Sequence, residues 1–342
     1  MSTSRIAVLG TGANGASIGA DLTRAGHDVT FIEQWPDHVE AMRANGIRVQ
    51  MPDETQTTPV NVIHLCEVAT LREPFDLVFV VMKAYDTRWA CELIRPLVKA
   101  KGLVVGLQNG MTIDEMADVI GYERTVGAVI EVTSNMFDPG VVNRQTPPSR
   151  SWFALGSLDG SHSEELDQAA DTLRAAGTVE MSDDIRSSKW MKLVVNAAEL
   201  VPSALLDMPL RDAIEVDGMV EFMHRCGKEA LEACIASGSK VVSILGVPPA
   251  SPDEEEAFAE ALLETVVGDY ASPDTRTTVL QDWMKGRRAE ANEVNGLVVD
   301  ELKKAGRSAP ANELVVDLAR RVESGDLPIG RQNAELMAGA RI

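Results

Sequence analysis

Three glycines near the start, in Gly10-Thr11-Gly12-Ala13-Asn14-Gly15, have the spacing of a loop that wraps a pyrophosphate. The apolar run Ile6-Ala-Val-Leu9 precedes them, and a helix-like stretch from Ala16 to Ala25 follows. In that context the first glycine permits a tight turn, the second lets the backbone approach the phosphates, and the third lets helix and strand pack closely. The anion then meets the N-terminal amides of the helix. At the end of the next apolar run, Val29-Thr-Phe-Ile32, stands Glu33, where an acidic side chain can hydrogen-bond adenine ribose hydroxyls. A solvated strand-end glutamate is the alternative. The expectation is a dinucleotide site built on Gly10, Gly12, Ala13, Asn14, Gly15 and Glu33.

Other constellations are weaker. Lys192 and Asn196 are four residues apart, hence on one face of a helix, but by spacing alone Lys192 reads as a surface lysine. Glu290, in Arg287-Arg-Ala-Glu290 after the break at Gly286, reads equally as a solvated residue at a charged helix start. Gly15-Ala-Ser17-Ile-Gly19 matches a hydrolase nucleophile elbow, but that elbow needs its serine on the turn directly after a strand, and Ser17 falls inside the helix. The five histidines (His27, His38, His64, His162, His224) show no metal-ligand spacing, so no metal is expected.

These residues need elements to hold them. The chain of 342 residues is long enough for about two domains. From Ile6 to about Gly177, apolar runs (also Leu77–Val81, Leu103–Leu107 and Val126–Val132) alternate with helix-length segments. Runs that are apolar throughout suit a parallel sheet covered on both faces, so the expectation for residues 1–182 is an α/β dinucleotide-binding (Rossmann) domain. The piece Val141–Leu155, richer in proline and polar residues, reads as an antiparallel extension with loops. Beyond about Asp183 apolar residues recur at helical spacing, in Trp190–Leu206, Met219–Ile235, Phe258–Val267, Val279–Met284, Val294–Leu302 and Leu314–Val322. Residues 183–342 are therefore expected to form an all-helical domain. Asp253-Glu-Glu-Glu256 reads as the dipole-favoured first turn of a helix.

Composition narrows the partners. Acidic residues (52) exceed basic ones (32), a net charge of −20, and no Lys/Arg run relieves it, so nucleic acid and anionic membrane surfaces are not expected partners. No apolar run reaches the roughly 18 residues of a membrane span, and the N-terminus lacks the pattern of a signal peptide. Cys66, Cys91, Cys226 and Cys234 form no C-x-x-C pair, with Cys226 and Cys234 expected in a helix core. A reduced, cytoplasmic setting is the expectation.

Four further pieces complete a pattern: Met82-Lys83-Ala84, Gln108-Asn109-Gly110, Trp190-Met-Lys192-Leu-Val-Val-Asn196, and Thr278 with Glu290 flanking Leu280-Gln-Asp282. In this order and spacing, with a Rossmann domain before a helical one, the sequence resembles the ketopantoate reductase (2-dehydropantoate 2-reductase) family over nearly its whole length. The resemblance implies a nicotinamide-dependent oxidoreductase acting on a small 2-oxo or 2-hydroxy acid, commonly as a homodimer. It assigns Lys192 as proton donor to the substrate carbonyl, Glu290 beside it in contact with cofactor and substrate, and Asn109 against the cofactor near the reacting centre. Lys83 matches a cofactor-contacting lysine, and Asn196 and Thr278 match substrate-binding positions, Thr278 replacing a more usual serine. The chemistry is consistent, since hydride transfer to a ketone builds negative charge on oxygen, which a proton-giving cation stabilises.

The sequence departs from the family twice. An arginine usually follows the second strand to meet the 2′-phosphate of NADPH, whereas here the chain reads Glu33-Gln34, so NAD is expected, with NADP as the alternative. Asparagines that hold the hydroxyl end of ketopantoate align with Leu200 and Leu210, unless a one-residue shift of register substitutes Glu199. Both leucines are candidate substrate contacts and point to a less polar tail. The competing readings are an opine or β-hydroxyacid dehydrogenase and a non-catalytic NAD(H) sensor. Against the first two, His224 is the lone histidine of the second domain, and Ser188 stands where β-hydroxyacid enzymes carry a glycine; against the third, Lys192, Asn196 and Glu290 are intact.

Overall fold

The computed structural model describes residues 4–249 and 255–339. They divide into two compact units, Met1–Ile185 and Arg186–Ile342, the boundary lying where Ile185 packs against Gly127 and Gly156.

The first unit contains β1 (Arg5–Leu9), α1 (Ala13–Arg24), β2 (Asp28–Glu33), α2 (Pro36–Asn45), β3 (Ile47–Gln50), β4 (Thr55–Thr58), β5 (Asn61–His64) and β6 (Phe75–Val80). It continues through α3 (Thr87–Ile94), β7 (Val98–Gly106), α4 (Ile113–Ile120), β8 (Thr125–Glu131), β9 (Ser134–Asn135), β10 (Val141–Arg144), β11 (Trp152–Ser157), α5 (Glu164–Leu173) and β12 (Thr178–Met181). Eight strands form one sheet in the order β12-β11-β8-β7-β6-β1-β2-β5, parallel except that β11 runs antiparallel to β8. Both faces are covered, which is why the strands are apolar throughout. Ile6 and Val8 of β1 join a core with α1 and α5, while Ala7 and Leu9 join the opposite one with α3 and α4.

The expected antiparallel extension over Val141–Leu155 resolves into two pieces. Only β11 extends the main sheet, whereas β10 belongs to a second sheet, β4-β3-β10-β9, in which it runs parallel to β3. The strands β3, β4, β5, β9 and β12 have no counterpart in the sequence reading. They are two to four residues long, and β4 (Thr-Gln-Thr-Thr) has no apolar residue to set a period.

The second unit is helical: α6 (Ile185–Leu205), α7 (Leu210–Ala213), α8 (Met219–Ala236), α9 (Glu255–Thr265), α10 (Thr278–Met284), α11 (Leu297–Lys304), α12 (Pro310–Glu323) and α13 (Ala334–Ala338). Among the described residues its one β feature is an isolated bridge between Ile244 and Val247. Two expected helices begin or end differently, because π turns occupy Val266–Tyr270 and Asn292–Gly296. Of the acidic run, Asp253 and Glu254 lie outside the described residues. Cys226 and Cys234 are fully buried on α8, as their spacing implied. No helix among the described residues is long and apolar enough to cross a membrane.

Candidate functional site

In the first unit, register brings the sequence motifs to one sheet edge. Leu9 pairs with Ile32 on one side and Val80 on the other, and Val80 pairs with Gly106. The residues that follow these four positions are Gly10, Glu33, Met82-Lys83 and Gln108-Asn109. The chain leaves β1 for β2 on one side and reaches β6 on the other, so this edge is the topological switch point at which open α/β sheets take ligands.

Gly10 has φ +90°, and a Cβ there would also come within 2.5 Å of Met82 Cγ, so no other residue fits the turn. At Gly15 a Cβ would lie 2.1 Å from the Gly10 carbonyl oxygen, which makes that glycine the condition for packing α1 on the loop. Above Gly12, by contrast, nothing lies within 4 Å of where a Cβ would be. Gly12 is the N-cap of α1 and supplies no capping side chain, and the first turn carries no acidic residue. The amides that open α1 therefore face an uncrowded, uncapped approach, which fits a pyrophosphate. Asn14 is partly committed, because Ser134 Oγ donates to its Oδ1.

Glu33 is buried, which excludes the solvated alternative. Its carboxylate accepts from the amides of Gln34 and Trp35, both at 2.9 Å, and from Thr11 Oγ1 at 3.1 Å. The negative charge is thereby pinned beside the glycine loop. A second residue, His38 on α2, supports that loop. Its Nδ1 accepts the Gly140 amide (2.8 Å), so the proton sits on Nε2, which donates to the Thr11 carbonyl (2.9 Å). Burial pushes the imidazole pKa down, against the opposing charge of Glu33, and it stays neutral. Nothing local in the sequence distinguishes His38 from the other four histidines.

Lys83 and Asn109 are half-buried on neighbouring loops. Gln108 ties those loops together, its Nε2 donating to the Met82 carbonyl (2.9 Å) and to Thr87 Oγ1 (3.0 Å). Gln108 belongs to the Gln108-Asn109-Gly110 motif, but its tethering role is visible only in three dimensions.

In the second unit, α6 buries Lys192 to 8% exposure and Asn196 to 1% on the face shared by residues four apart, while Trp190, Leu193 and Val194 are buried around them. Glu290 is 4% exposed, so neither it nor Lys192 is the solvated residue that its local sequence suggested. Thr278 opens α10, and its Oγ1 is buried with no hydrogen-bond partner. A buried hydroxyl in that condition is a ready group for a ligand carboxylate. Leu200 lies in the apolar core of this unit, and Leu210 is 1% exposed at the start of α7. Lys189, one turn before Lys192, is also buried, and burial pushes its ammonium pKa down to about 8. Nothing in the spacing marked it.

Comparison with known proteins covers both units. Residues 6–159 match the family model described as ketopantoate reductase PanE/ApbA, and residues 184–323 match the model for its C-terminal part. The 2-dehydropantoate 2-reductase of Archaeoglobus fulgidus is 28% identical over 327 residues, spanning 95% of this chain and 100% of that protein. The crystal structure of a PanE/ApbA family ketopantoate reductase from Ralstonia eutropha JMP134 superimposes with a TM-score of 0.79 at 26% identity, over 94% of this chain and 99% of that one. D-mandelate dehydrogenase, solved with NADH and anilino(oxo)acetate, shares the fold at a TM-score of 0.82 and 20% identity, over 94% of this chain and 98% of that one.

Proposed function

The chain belongs to the ketopantoate reductase family, and on that premise we propose that it moves a hydride between NAD(H) and a 2-oxo or 2-hydroxy acid with an apolar tail. It is an oxidoreductase of the nicotinamide-dependent type. The observation that carries the finer reading is the burial of Lys192, Asn196 and Glu290 in a unit whose Thr278 hydroxyl is buried without a partner. A solvated lysine and glutamate would have no such setting.

The groups divide the work as follows. The glycine loop, the α1 amides, Lys83 and Asn109 would hold a nicotinamide dinucleotide, which when bound would supply or accept the hydride. The Lys192 ammonium gives its proton to the carbonyl oxygen as negative charge builds there, and its neutral amine takes that proton back in the oxidative direction. Glu290 orients the lysine and contacts cofactor and substrate. Asn196 and the Thr278 hydroxyl hold the substrate carboxylate.

Glu33 decides the cofactor. A carboxylate pinned beside the loop accepts hydrogen bonds from free ribose hydroxyls but repels a 2′-phosphate. Leu200 and Leu210 decide the tail, because each buried substrate methylene gains about 0.8 kcal/mol while an apolar wall offers a hydroxyl no partner. That D-mandelate dehydrogenase has been solved with NADH and anilino(oxo)acetate supports both choices for this architecture. The test is NADH oxidation against a panel of 2-oxo acids that includes ketopantoate, with NADPH in parallel. Branched or aromatic 2-oxo acids with NADH should give the highest kcat/KM. Ketopantoate surpassing every apolar acid would overturn the substrate reading, and NADPH matching NADH would overturn the cofactor reading.

A further inference from the structure

Lys192 and Asn196 lie on α6, whereas Thr278 and Glu290 lie on separate segments of the same unit, so something must hold three pieces of chain in mutual register. Pro202 sits inside α6 and lacks the amide that would bond the carbonyl one turn back. Around this interruption, α6 carbonyls accept side-chain donors. Thr277 Oγ1 donates to the Leu200 carbonyl at 2.9 Å, and Asn295 Nδ2 donates to the Ala197 carbonyl at 2.9 Å.

Each donor is joined to one of the assigned residues. Thr277 is the N-cap of α10 and precedes Thr278 directly. Asn295 lies in the π turn Asn292–Gly296, whose helical path starts from Glu290 through the bond of the Val294 amide to the Glu290 carbonyl at 3.1 Å. Turns of this kind recur at functional sites.

The orientation of Asn295 is forced. The residue is fully buried, and its second amide hydrogen goes to Asn312 Oδ1 at 2.8 Å, so exchanging its nitrogen and oxygen would set oxygen against oxygen twice. Asn312 is itself fixed, donating to the Cys226 carbonyl (3.1 Å) and to Glu229 Oε2 (2.7 Å). The Glu229 carboxylate also accepts the amides of Ala311 and Asn312, both at 2.9 Å, anchoring the start of α12 to α8.

We propose that Thr277 and Asn295 are positioning residues of the reaction: their two hydrogen bonds onto α6 carbonyls set Thr278 and Glu290 in register with Lys192 and Asn196. The inference rests on the functional reading above. A displacement of about 1 Å at such a site costs on the order of 10²-fold in rate, so partial loosening should be measurable without unfolding.

Thr277→Val keeps the shape and removes the hydroxyl, and Thr277→Ser keeps the hydroxyl. With the preferred 2-oxo acid, Thr277→Val should raise its KM about tenfold while the KM for NADH stays within twofold, and Thr277→Ser should restore the wild-type value. A defect confined to overall stability would lower the amount of active enzyme without splitting these constants. Asn295→Leu should lower kcat about tenfold while the KM for NADH stays within twofold; if it does not fold, the Thr277 pair still decides. A Thr277→Val enzyme within twofold of wild type in every constant overturns this inference alone. A wild type that turns over no 2-oxo acid overturns the functional reading and this inference with it.

Discussion

Arg144→Met should destabilise the protein by about 3 kcal/mol at neutral pH, by a deficit that shrinks in acid. Arg144 is fully buried, and its guanidinium donates to Asp21 Oδ2, to the carbonyls of Thr146 (2.7 Å) and Ala176 (2.8 Å), and to Ser151 Oγ (2.8 Å). Asp21 lies on α1 behind the glycine loop with only 2% of its side chain exposed, so the variant strands a buried carboxylate. Removing one partner of such a pair costs about 3–5 kcal/mol. The lower figure applies because Arg24, 31% exposed, still pairs with Asp21. Burial already holds the Asp21 carboxyl above its ordinary pKa, with Arg144 the main influence lowering it. Without Arg144 that pKa rises further, so the native variant keeps a proton that the unfolded chain releases at the same pH. Where the native state binds more protons, stability falls as pH rises, so the variant regains ground between pH 7 and pH 5. Guanidinium unfolding followed by circular dichroism, at both pH values and with unchanged m, measures this. A deficit under about 1 kcal/mol, or one identical at the two pH values, would refute the argument.

The remaining expectations concern the site. Lys192→Ala should lower kcat by on the order of 10² or more with NADH affinity nearly unchanged, and near-normal turnover would remove the lysine from the proton step. Glu33→Ala should narrow the preference for NADH over NADPH at least tenfold in kcat/KM, since it deletes the charge facing a 2′-phosphate; an unchanged ratio would place discrimination elsewhere. For Lys189 the folded pKa is about 8, whereas the unfolded chain holds its proton to about 10.4. Between those values the unfolded state binds more protons, so wild-type stability should rise with pH there relative to Lys189→Met, by at most on the order of 3 kcal/mol. Parallel stability curves for the two proteins across that window would rule out the shift.

The amino-acid sequence by itself determined whatever rests on neighbours along the chain. The turn at Gly10 and the close packing at Gly15 are demands of a few adjacent residues, and the unbroken apolar runs of β1, β2, β6, β7 and β8 announce a sheet buried on both faces. Helical periodicity likewise placed α6, α8 and α12, and the family pattern picked out Lys192, Asn196 and Glu290. Tertiary structure decided the rest, because the deciding contacts join residues far apart in the chain. Asn295 meets Ala197 across 98 residues, Gly140 meets His38 across 102, and Arg144 meets Asp21 across 123. No local pattern encodes such partners. Nor could spacing tell a solvated Lys192 from a buried one, since burial depends on what packs over the helix. The short strands of the second sheet were hidden for the same reason: β4 is polar and four residues long, and it is a strand because β3 pairs with it.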